Sequence, residues 1–140
     1  MSRIFWDTNL FIYLFEDYKD LSKRTIGIRR RMTERGDQLL TSTITLGEIL
    51  VRPWQRGDHA MCRKYEESLT KGAIVIPFDL KAARIYASLR GDRKLKAPDA
   101  LQLSCAASVG VDLFITNDER LQRERVAGVQ FIVSLDRAPL

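Results

Sequence analysis

Short apolar segments alternate along this chain with longer segments that are compatible with helices. The short segments cover residues 4–6, 38–41, 73–77, 112–116 and 130–133, and each has the length of a β-strand. Strands that are continuously apolar, and not alternating, are typical of a parallel sheet covered on both faces. With right-handed crossovers, the pattern predicts an α/β fold in which a parallel sheet forms the middle of a three-layer α/β/α sandwich.

Capping and stop residues mark where the predicted helices begin and end. We expect Asn9 to cap the first helix and Gly36 to stop the second. Ser42 or Thr43 is the expected cap of the third helix, and Pro53 is expected to terminate it. Asp79 is the expected cap of the fifth helix, and a basic loop over residues 90–96 follows it. The predicted helices cover residues 10–15, 21–35, 43–51, 59–71, 80–89, 98–109 and 119–124.

Polar residues follow four of the predicted strands where each strand ends. In parallel α/β sheets, ligands bind at the carboxyl ends of the strands. We therefore expect these polar side chains to crowd one rim of the sheet: Asp7, Thr41, Ser42, Asp79, Thr116, Asn117 and Asp118.

Length and composition predict one folded domain over residues 1–140. The chain is 45% hydrophobic and 29% charged, which is typical of a globular protein and excludes a disordered one. No apolar run approaches the ~20 residues that a membrane span needs. The apolar stretch before Asp7 is too short for a signal peptide, so we expect a cytoplasmic protein.

Charge and cysteine content narrow the chemistry. The net charge of +5 and the sequence pI of about 9.5 favour a polyanionic partner such as a nucleic acid. Cys62, Cys105 and the single histidine, His59, are too few for a zinc site or a Cys-His nucleophile. Catalysis would therefore depend on carboxylates, hydroxyls or basic side chains.

Four acidic residues are candidates for the site: Asp7, Glu48, Asp99 and Asp118. Three of them could instead have a purely structural role. Asp7 can cap or turn the chain after the first strand, and Asp118 can cap the helix that it opens. Asp99 follows Pro98 in a first helical turn, where the helix dipole favours an acid.

Glu48 has no such role, because it lies in the middle of a predicted helix. Ile44 and Val51 share its face at helical spacing, and a carboxylate on an apolar stripe is costly to bury without a partner. We expect a metal or a hydrogen-bonding group beside Glu48; the alternative is a surface position.

Four acids near one rim repel one another unless cations neutralise them. Mg²⁺ and Mn²⁺ prefer oxygen ligands and suit such a cluster. These ions bind phosphate oxygens and activate water for in-line attack on a phosphodiester. An acidic pocket on a basic protein is therefore what a nuclease needs.

Four segments, in the same order along the chain, resemble the PIN-domain family, and within it the VapC-type toxins of toxin–antitoxin pairs. They are residues 5–9 (FWDTN), 43–49 (TITLGEI), 98–106 (PDALQLSCA) and 113–118 (LFITND). The match of any one segment is weak evidence, but the match of all four in this order is specific. No acidic position of the family's pattern is lost. The resemblance implies an endoribonuclease that cuts single-stranded RNA, and a five-stranded sheet of order 3-2-1-4-5.

The resemblance also implies the site and the partners. Mg²⁺ or Mn²⁺ would be held by the four acids, with supporting roles for Thr116 and Asn9. The implied assembly is a homodimer blocked by a small antitoxin protein. Metal ligands and catalytic residues are then the same set: Asp7, Glu48, Asp99 and Asp118.

Two surfaces are candidates for these partners. The basic loop would guide the RNA backbone through Arg90, Arg93, Lys94 and Lys96, although a solvated charge run explains it equally well. The antitoxin would pack an apolar face beside the first helix and offer an arginine to the acids. The apolar residues for that contact are Leu10, Phe11, Tyr13, Leu14, Phe15 and Trp54, which could instead fill the core.

The sequence argues against two other classes of protein and leaves two further alternatives open. A haloacid-dehalogenase phosphatase needs a second Asp two residues after the first, where this chain has Asn9. A response-regulator receiver needs a pair of adjacent acids near its start and a late Lys, and neither is found. A non-toxin PIN nuclease in RNA processing, or a module that binds RNA or protein without cutting, stays open.

Overall fold

The computed structural model describes residues 1–92 and 95–140, and a parallel five-stranded sheet forms its centre. The strands lie in the order β3-β2-β1-β4-β5, which confirms the expected 3-2-1-4-5 order. β1 is central, and Phe5 pairs with Leu40 of β2 and with Phe114 of β4. The strands are β1 (Arg3–Trp6), β2 (Gln38–Ser42), β3 (Ile74–Ile76), β4 (Val111–Thr116) and β5 (Val129–Ser134).

Helices connect the strands and cover the sheet. Two 3₁₀ turns, Glu119–Arg123 and Leu135–Arg137, precede and follow β5. The helices are α1 (Thr8–Phe15), α2 (Asp20–Arg35), α3 (Thr43–Gln55), α4 (His59–Gly72), α5 (Leu80–Asp92) and α6 (Ala97–Val109).

The two faces of the sheet carry separate apolar cores. Phe5 packs on one face with buried residues of α5 and α6, and its ring stacks on Phe114 at 5.1 Å between centroids. Ile4 and Trp6 point to the other face, among residues of α1, α2 and α4. Neighbouring residues of β1 thus enter opposite cores, which explains the continuously apolar strand and confirms the three layers.

Several predicted boundaries are confirmed and two are wrong. Gly36 ends α2 in the left-handed region, with φ at 74°, and Ser42 caps α3. Asn9 does not cap α1: it lies inside the helix, and Asp7 occupies the N-cap position. Pro53 does not terminate α3, which continues to Gln55. Proline lacks a backbone N–H and its ring crowds the preceding turn, and α3 extends only two residues beyond it.

The basic loop is also shorter than predicted, because α5 continues to Asp92. Arg90 is therefore a helical residue, and Arg93 and Lys94 lie outside the described residues. Within the described part of the chain, no helix is both long enough and apolar enough to cross a membrane.

Candidate functional site

A pocket of about 300 Å³ opens at the carboxyl ends of β1 and β4. Its polar lining comes from α1, α3 and α6, which begin at or near this edge of the sheet. Three of the four predicted acids are among the lining residues. The full lining is Asp7, Thr8, Asn9, Ile12, Glu48, Pro98, Asp99, Gln102, Phe114 and Leu121.

Asp7 forms the floor of the pocket, directly after β1. Thr116 donates a hydrogen bond of 2.5 Å to Oδ2, whereas Oδ1 is buried and has no hydrogen-bond partner among the described residues. Burial raises the pKa of Asp7 to about 6, and the charge of Asp99 adds to this rise. The Thr116 hydroxyl and the nearby amides of Asn9 and Leu10 oppose it, although neither amide forms a cap hydrogen bond.

Asp99 lies in the first turn of α6, as predicted. Burial raises its pKa first, and the negative charges of Asp118 and Glu48 raise it further. Arg120 and Lys96 lower it without cancelling the rise. The acids at this rim therefore affect one another electrostatically, which a bound cation would relieve.

Asp118 borders a second, adjoining pocket together with Asp99, Lys96 and Arg120. It caps the 3₁₀ turn by accepting from the Arg120 backbone, so its predicted capping role is confirmed. The Arg120 guanidinium also holds both carboxylate oxygens, with Nε to Oδ1 at 3.0 Å and Nη2 to Oδ2 at 2.9 Å. These hydrogen bonds lower the pKa of Asp118. Sequence reasoning missed Arg120, although its spacing from Asp118 is local.

Glu48 stands at the edge of the pocket and is exposed. The expectation of a carboxylate on a buried apolar stripe is wrong, because Val51 on the same face is 49% exposed. Glu48 nevertheless has the expected hydrogen-bonding group beside it: the Thr8 hydroxyl donates to Oε1 at 2.5 Å.

Buried hydroxyls and one amide lie behind the carboxylates, and sequence reasoning gave them no role. Gln102 on α6 connects Ser42, Thr45 and Thr8, which come from three other parts of the chain. Thr41 extends the network to the backbone of β1. The only signal in the sequence is the position of Gln102, one helical turn after Asp99 and amid apolar neighbours.

The remaining predicted residues are placed unevenly. The hydroxyl of Thr116 also accepts from the backbone of Asp118, at 3.0 Å, so it bridges two of the acids. Asn9 lines the pocket and is exposed. Asp79 caps α5 and does not line the pocket. Lys96 lines the second pocket, and Arg90 is exposed on α5.

The antitoxin contact predicted on the first helix is wrong for Leu10, Phe11 and Tyr13, because these side chains are buried. Leu10, Phe11 and Tyr13 are 0%, 2% and 8% exposed and belong to the core between the sheet and its helices. Trp54 is 66% exposed, at the end of α3. An eight-residue helix lying against the sheet has little surface left to offer, which explains its apolar composition.

The pocket's donor set suits a hard divalent cation. Its charged groups are the carboxylates of Asp7, Glu48 and Asp99, and Oδ1 of Asp7 is a buried acceptor with no hydrogen-bond partner among the described residues. In their present side-chain conformations, no three acids, histidines or cysteines among residues 1–92 and 95–140 enclose an ion position. Metal binding would therefore require side-chain movement at the rim, where Asp118 is paired with Arg120.

Comparison with known proteins gives a consistent family and fold. The model of the PIN domain family matches residues 4–126. Among curated protein sequences, none matches this chain.

Solved structures with a similar fold include three toxin–antitoxin proteins. VapBC2 from Rickettsia felis, bound to a DNA fragment from its promoter, has a TM-score of 0.75 at 15% identity, covering 94% of this chain and 98% of that one. DNA-bound VapBC from Salmonella typhimurium has a TM-score of 0.71 at 22% identity, covering 96% and 99%. VapBC-5 from Mycobacterium tuberculosis has a TM-score of 0.60 at 22% identity, with the same coverage. At these identities the likeness establishes the shared fold.

Proposed function

The chain belongs to the PIN domain family, and from this premise we propose that it is a divalent-metal-dependent endoribonuclease. It cuts phosphodiester bonds of single-stranded RNA and acts in the cytoplasm as the toxin of a toxin–antitoxin pair. In this proposal residues 1–140 form one PIN domain. The metal is Mg²⁺ or Mn²⁺, and its ligands are Asp7, Glu48, Asp99 and Asp118.

The observation that carries the proposal is the state of Asp7. A carboxylate whose pKa is raised to about 6 by burial, with Oδ1 buried and without a hydrogen-bond partner among the described residues, is unfavourable for folding. Such a group is retained where it has a task, and a site of perturbed acids in a pocket is a candidate for catalysis. A cation beside Oδ1 would supply the missing partner and stabilise the charged form.

Each predicted residue of the site has its own part in this chemistry. When bound, the metal supplies Lewis acidity toward a phosphate oxygen and lowers the pKa of water. Asp7 and Asp99 offer oxygens from the pocket wall, and Asp118 and Glu48 offer theirs from its margins. Thr116 holds Asp7 through Oδ2, while Oδ1 is buried and has no hydrogen-bond partner among the described residues. Asn9 is a further polar group at the pocket wall.

The substrate is inferred from charge. A protein of net charge +5 attracts a polyanion, and Lys96 stands directly beside Asp99 and Asp118 in the second pocket. We propose that Lys96 and Arg90, together with Arg93 and Lys94, guide the RNA backbone toward the acids. The phosphates would otherwise be repelled by the carboxylates.

The similar structures support the toxin role. All three are VapBC proteins, and VapBC-5 is a member of the VapBC family of toxin–antitoxin systems. We propose a homodimer and a cognate antitoxin protein for this chain on that basis. Trp54 is the exposed aromatic residue left for such contacts from the set named above.

An RNA cleavage assay tests the enzymatic proposal. The purified protein should cut a single-stranded RNA in the presence of Mn²⁺ or Mg²⁺, and EDTA should stop it. Asp7→Asn should lower the rate by at least about 100-fold, since even a residue that only supports a metal ligand typically costs 10–100-fold. Asp20→Asn is the matched control, because it removes the same charge from an exposed position on α2.

Two results would contradict the proposal. Equal cleavage by the wild type and Asp7→Asn would point to a contaminating nuclease. RNA binding without metal-dependent cleavage would instead favour a non-cleaving binding module.

Expression in cells tests the toxin role separately. The wild type should arrest growth, and Asp7→Asn or co-expression of the neighbouring small gene's product should relieve the arrest. Harmless expression of folded, cleaving protein would identify a PIN nuclease of RNA processing.

A further inference from the structure

Gln102 joins side chains from four elements at the wall of the pocket. It is 5% exposed on α6. Its Oε1 accepts from the Ser42 hydroxyl at 2.5 Å, and its Nε2 donates to Thr45 Oγ1 at 2.8 Å and to Thr8 Oγ1 at 3.0 Å. A glutamine amide has two hydrogens and one carbonyl oxygen, so all of its hydrogen-bonding groups are engaged.

The direction of these hydrogen bonds follows from Glu48. An ionised carboxylate can only accept, so at the 2.5 Å contact the single hydroxyl hydrogen of Thr8 lies toward Glu48 Oε1. The Thr8 oxygen then accepts from Gln102 Nε2 at 3.0 Å, which is nearer than its remaining polar neighbour, Thr45 Oγ1 at 3.3 Å. A carbonyl at that position would instead draw the Thr8 hydrogen away from Glu48.

Glu48 depends on this contact for its orientation. It is an exposed residue on α3, and within the described residues the Thr8 hydroxyl is the one hydrogen-bond donor that reaches its side chain. A long acidic side chain at the surface samples many rotamers unless something holds it. Holding Oε1 restricts the rotamers of Glu48, and Oε2 makes no hydrogen bond to the described residues.

We propose that Gln102 is a positioning residue for metal binding, acting on Glu48 through the Thr8 hydroxyl. The inference rests on the proposed function, because it assumes that Glu48 binds the divalent ion. Mutation of a group that orients a metal ligand from behind typically lowers metal affinity or activity about 10–100-fold. Here the orienting group is a core amide 54 positions further along the chain than the ligand it serves.

Calorimetric titration with Mn²⁺ alone tests the relay. Gln102→Met keeps the length of the side chain and removes its donors, and we expect it to weaken Mn²⁺ binding roughly tenfold. Thr8→Val should weaken binding similarly, and Thr8→Ser should not. In the Thr8→Val background, Gln102→Met should cause no further loss, because the relay is already broken.

Two controls separate this role from a structural one. Gln38→Met alters a half-buried glutamine at the opposite end of the sheet, where Oε1 accepts from Arg3 Nη1 at 3.0 Å. It should leave Mn²⁺ affinity unchanged even if it lowers the melting temperature. If Gln102→Met does not fold, Gln102→Glu replaces it, since it keeps the size and the acceptor for Ser42. It should also weaken Mn²⁺ binding when Thr8 is present, in spite of the added acid.

The outcomes distinguish the two proposals. If the wild type binds Mn²⁺ and cleaves RNA but folded Gln102 variants bind equally well, the relay is wrong and the proposed function stands. Losses that simply add between Thr8→Val and Gln102→Met also overturn the relay, because independent effects do not pass through one hydroxyl. If wild type and Asp7→Asn bind Mn²⁺ equally weakly, the proposed function fails and the relay fails with it.

Discussion

The acids of the pocket differ in pKa because their immediate surroundings differ. Burial raises the pKa of the Asp7 carboxyl to about 6, against the opposing effect of the Thr116 hydroxyl and the amides of Asn9 and Leu10. Asp118 is partly exposed and held by the Arg120 guanidinium, so its pKa falls. The pKa of Asp118 therefore lies below that of Asp7. Below about pH 6, protons compete with a cation for Asp7.

Replacing Asp7 by Asn should stabilise the metal-free protein at pH 7. The folded state holds the Asp7 proton up to about pH 6 and the unfolded state only to about 3.8, so this group loses stability as the pH rises between those values. The full rise corresponds to about 3 kcal/mol. We expect Asp7→Asn to raise the free energy of unfolding by about 1–3 kcal/mol, since an unpartnered amide hydrogen offsets part of the gain.

Urea unfolding of both proteins with EDTA at pH 4, 5, 6 and 7 measures this effect. The difference between them should be small at pH 4 and largest at pH 7. A variant that is less stable than the wild type at pH 7 would mean that Asp7 is a structural cap held by partners, and would argue against a strained ligand.

At the scale of elements, the site depends on how α6 is seated on the sheet, because α6 carries both Asp99 and Gln102. Gly128, just before β5, lies against the backbone of α6 with φ at 96°. A Cβ at this glycine would be 2.6 Å from the carbonyl oxygen of Ala107. Glycine is therefore required there for both conformation and space.

Gly128→Ala should lower the free energy of unfolding by at least about 2 kcal/mol, from strain at positive φ and displacement of α6. The matched variant is Gly47→Ala, in the exposed middle of α3, where a Cβ would meet nothing within 4 Å. It should stabilise the protein by about 0.5–1 kcal/mol. Chemical unfolding of the two variants decides the matter, and equal effects would refute the close packing of α6 on Gly128.

At the scale of the whole molecule, a basic surface surrounds an acidic pocket. The net charge is +5, whereas the pocket is lined by three acids and no base. The adjoining pocket mixes both signs, with Lys96 and Arg120 beside Asp99 and Asp118. For the proposed RNA substrate, attraction by the net positive charge and repulsion by the acids would meet at Lys96.

Lys96→Glu should weaken RNA binding and reduce its dependence on salt. Each lost contact with a phosphate lowers the slope of log affinity against log salt by about 0.7 for a single strand. Binding is measured with Asp7→Asn as the background so that the RNA stays intact. Lys64→Glu, which makes the same charge change at an exposed position on α4, is the control. Identical slopes for the two charge reversals would remove Lys96 from the RNA path.

The sequence by itself determined which segments are strands and helices and which edge of the sheet carries the acids. Those features depend on local periodicity and on caps such as Ser42 and Asp79, which are encoded within a few residues. The strand order came from family resemblance and not from the pattern. The placement of Asp7, Asp99 and Asp118 followed from their positions at element ends.

Only the tertiary structure decided what surrounds each of these residues. The exposure of Glu48, the burial of Leu10 and Phe11 in the core, and the meeting of Gln102 with Thr8 depend on how α1, α3 and α6 pack. Gln102 and Thr8 are 94 positions apart, so no local pattern relates them. A contact of that kind is set by strand register and by helix packing across the sheet, which are properties of the assembled layers.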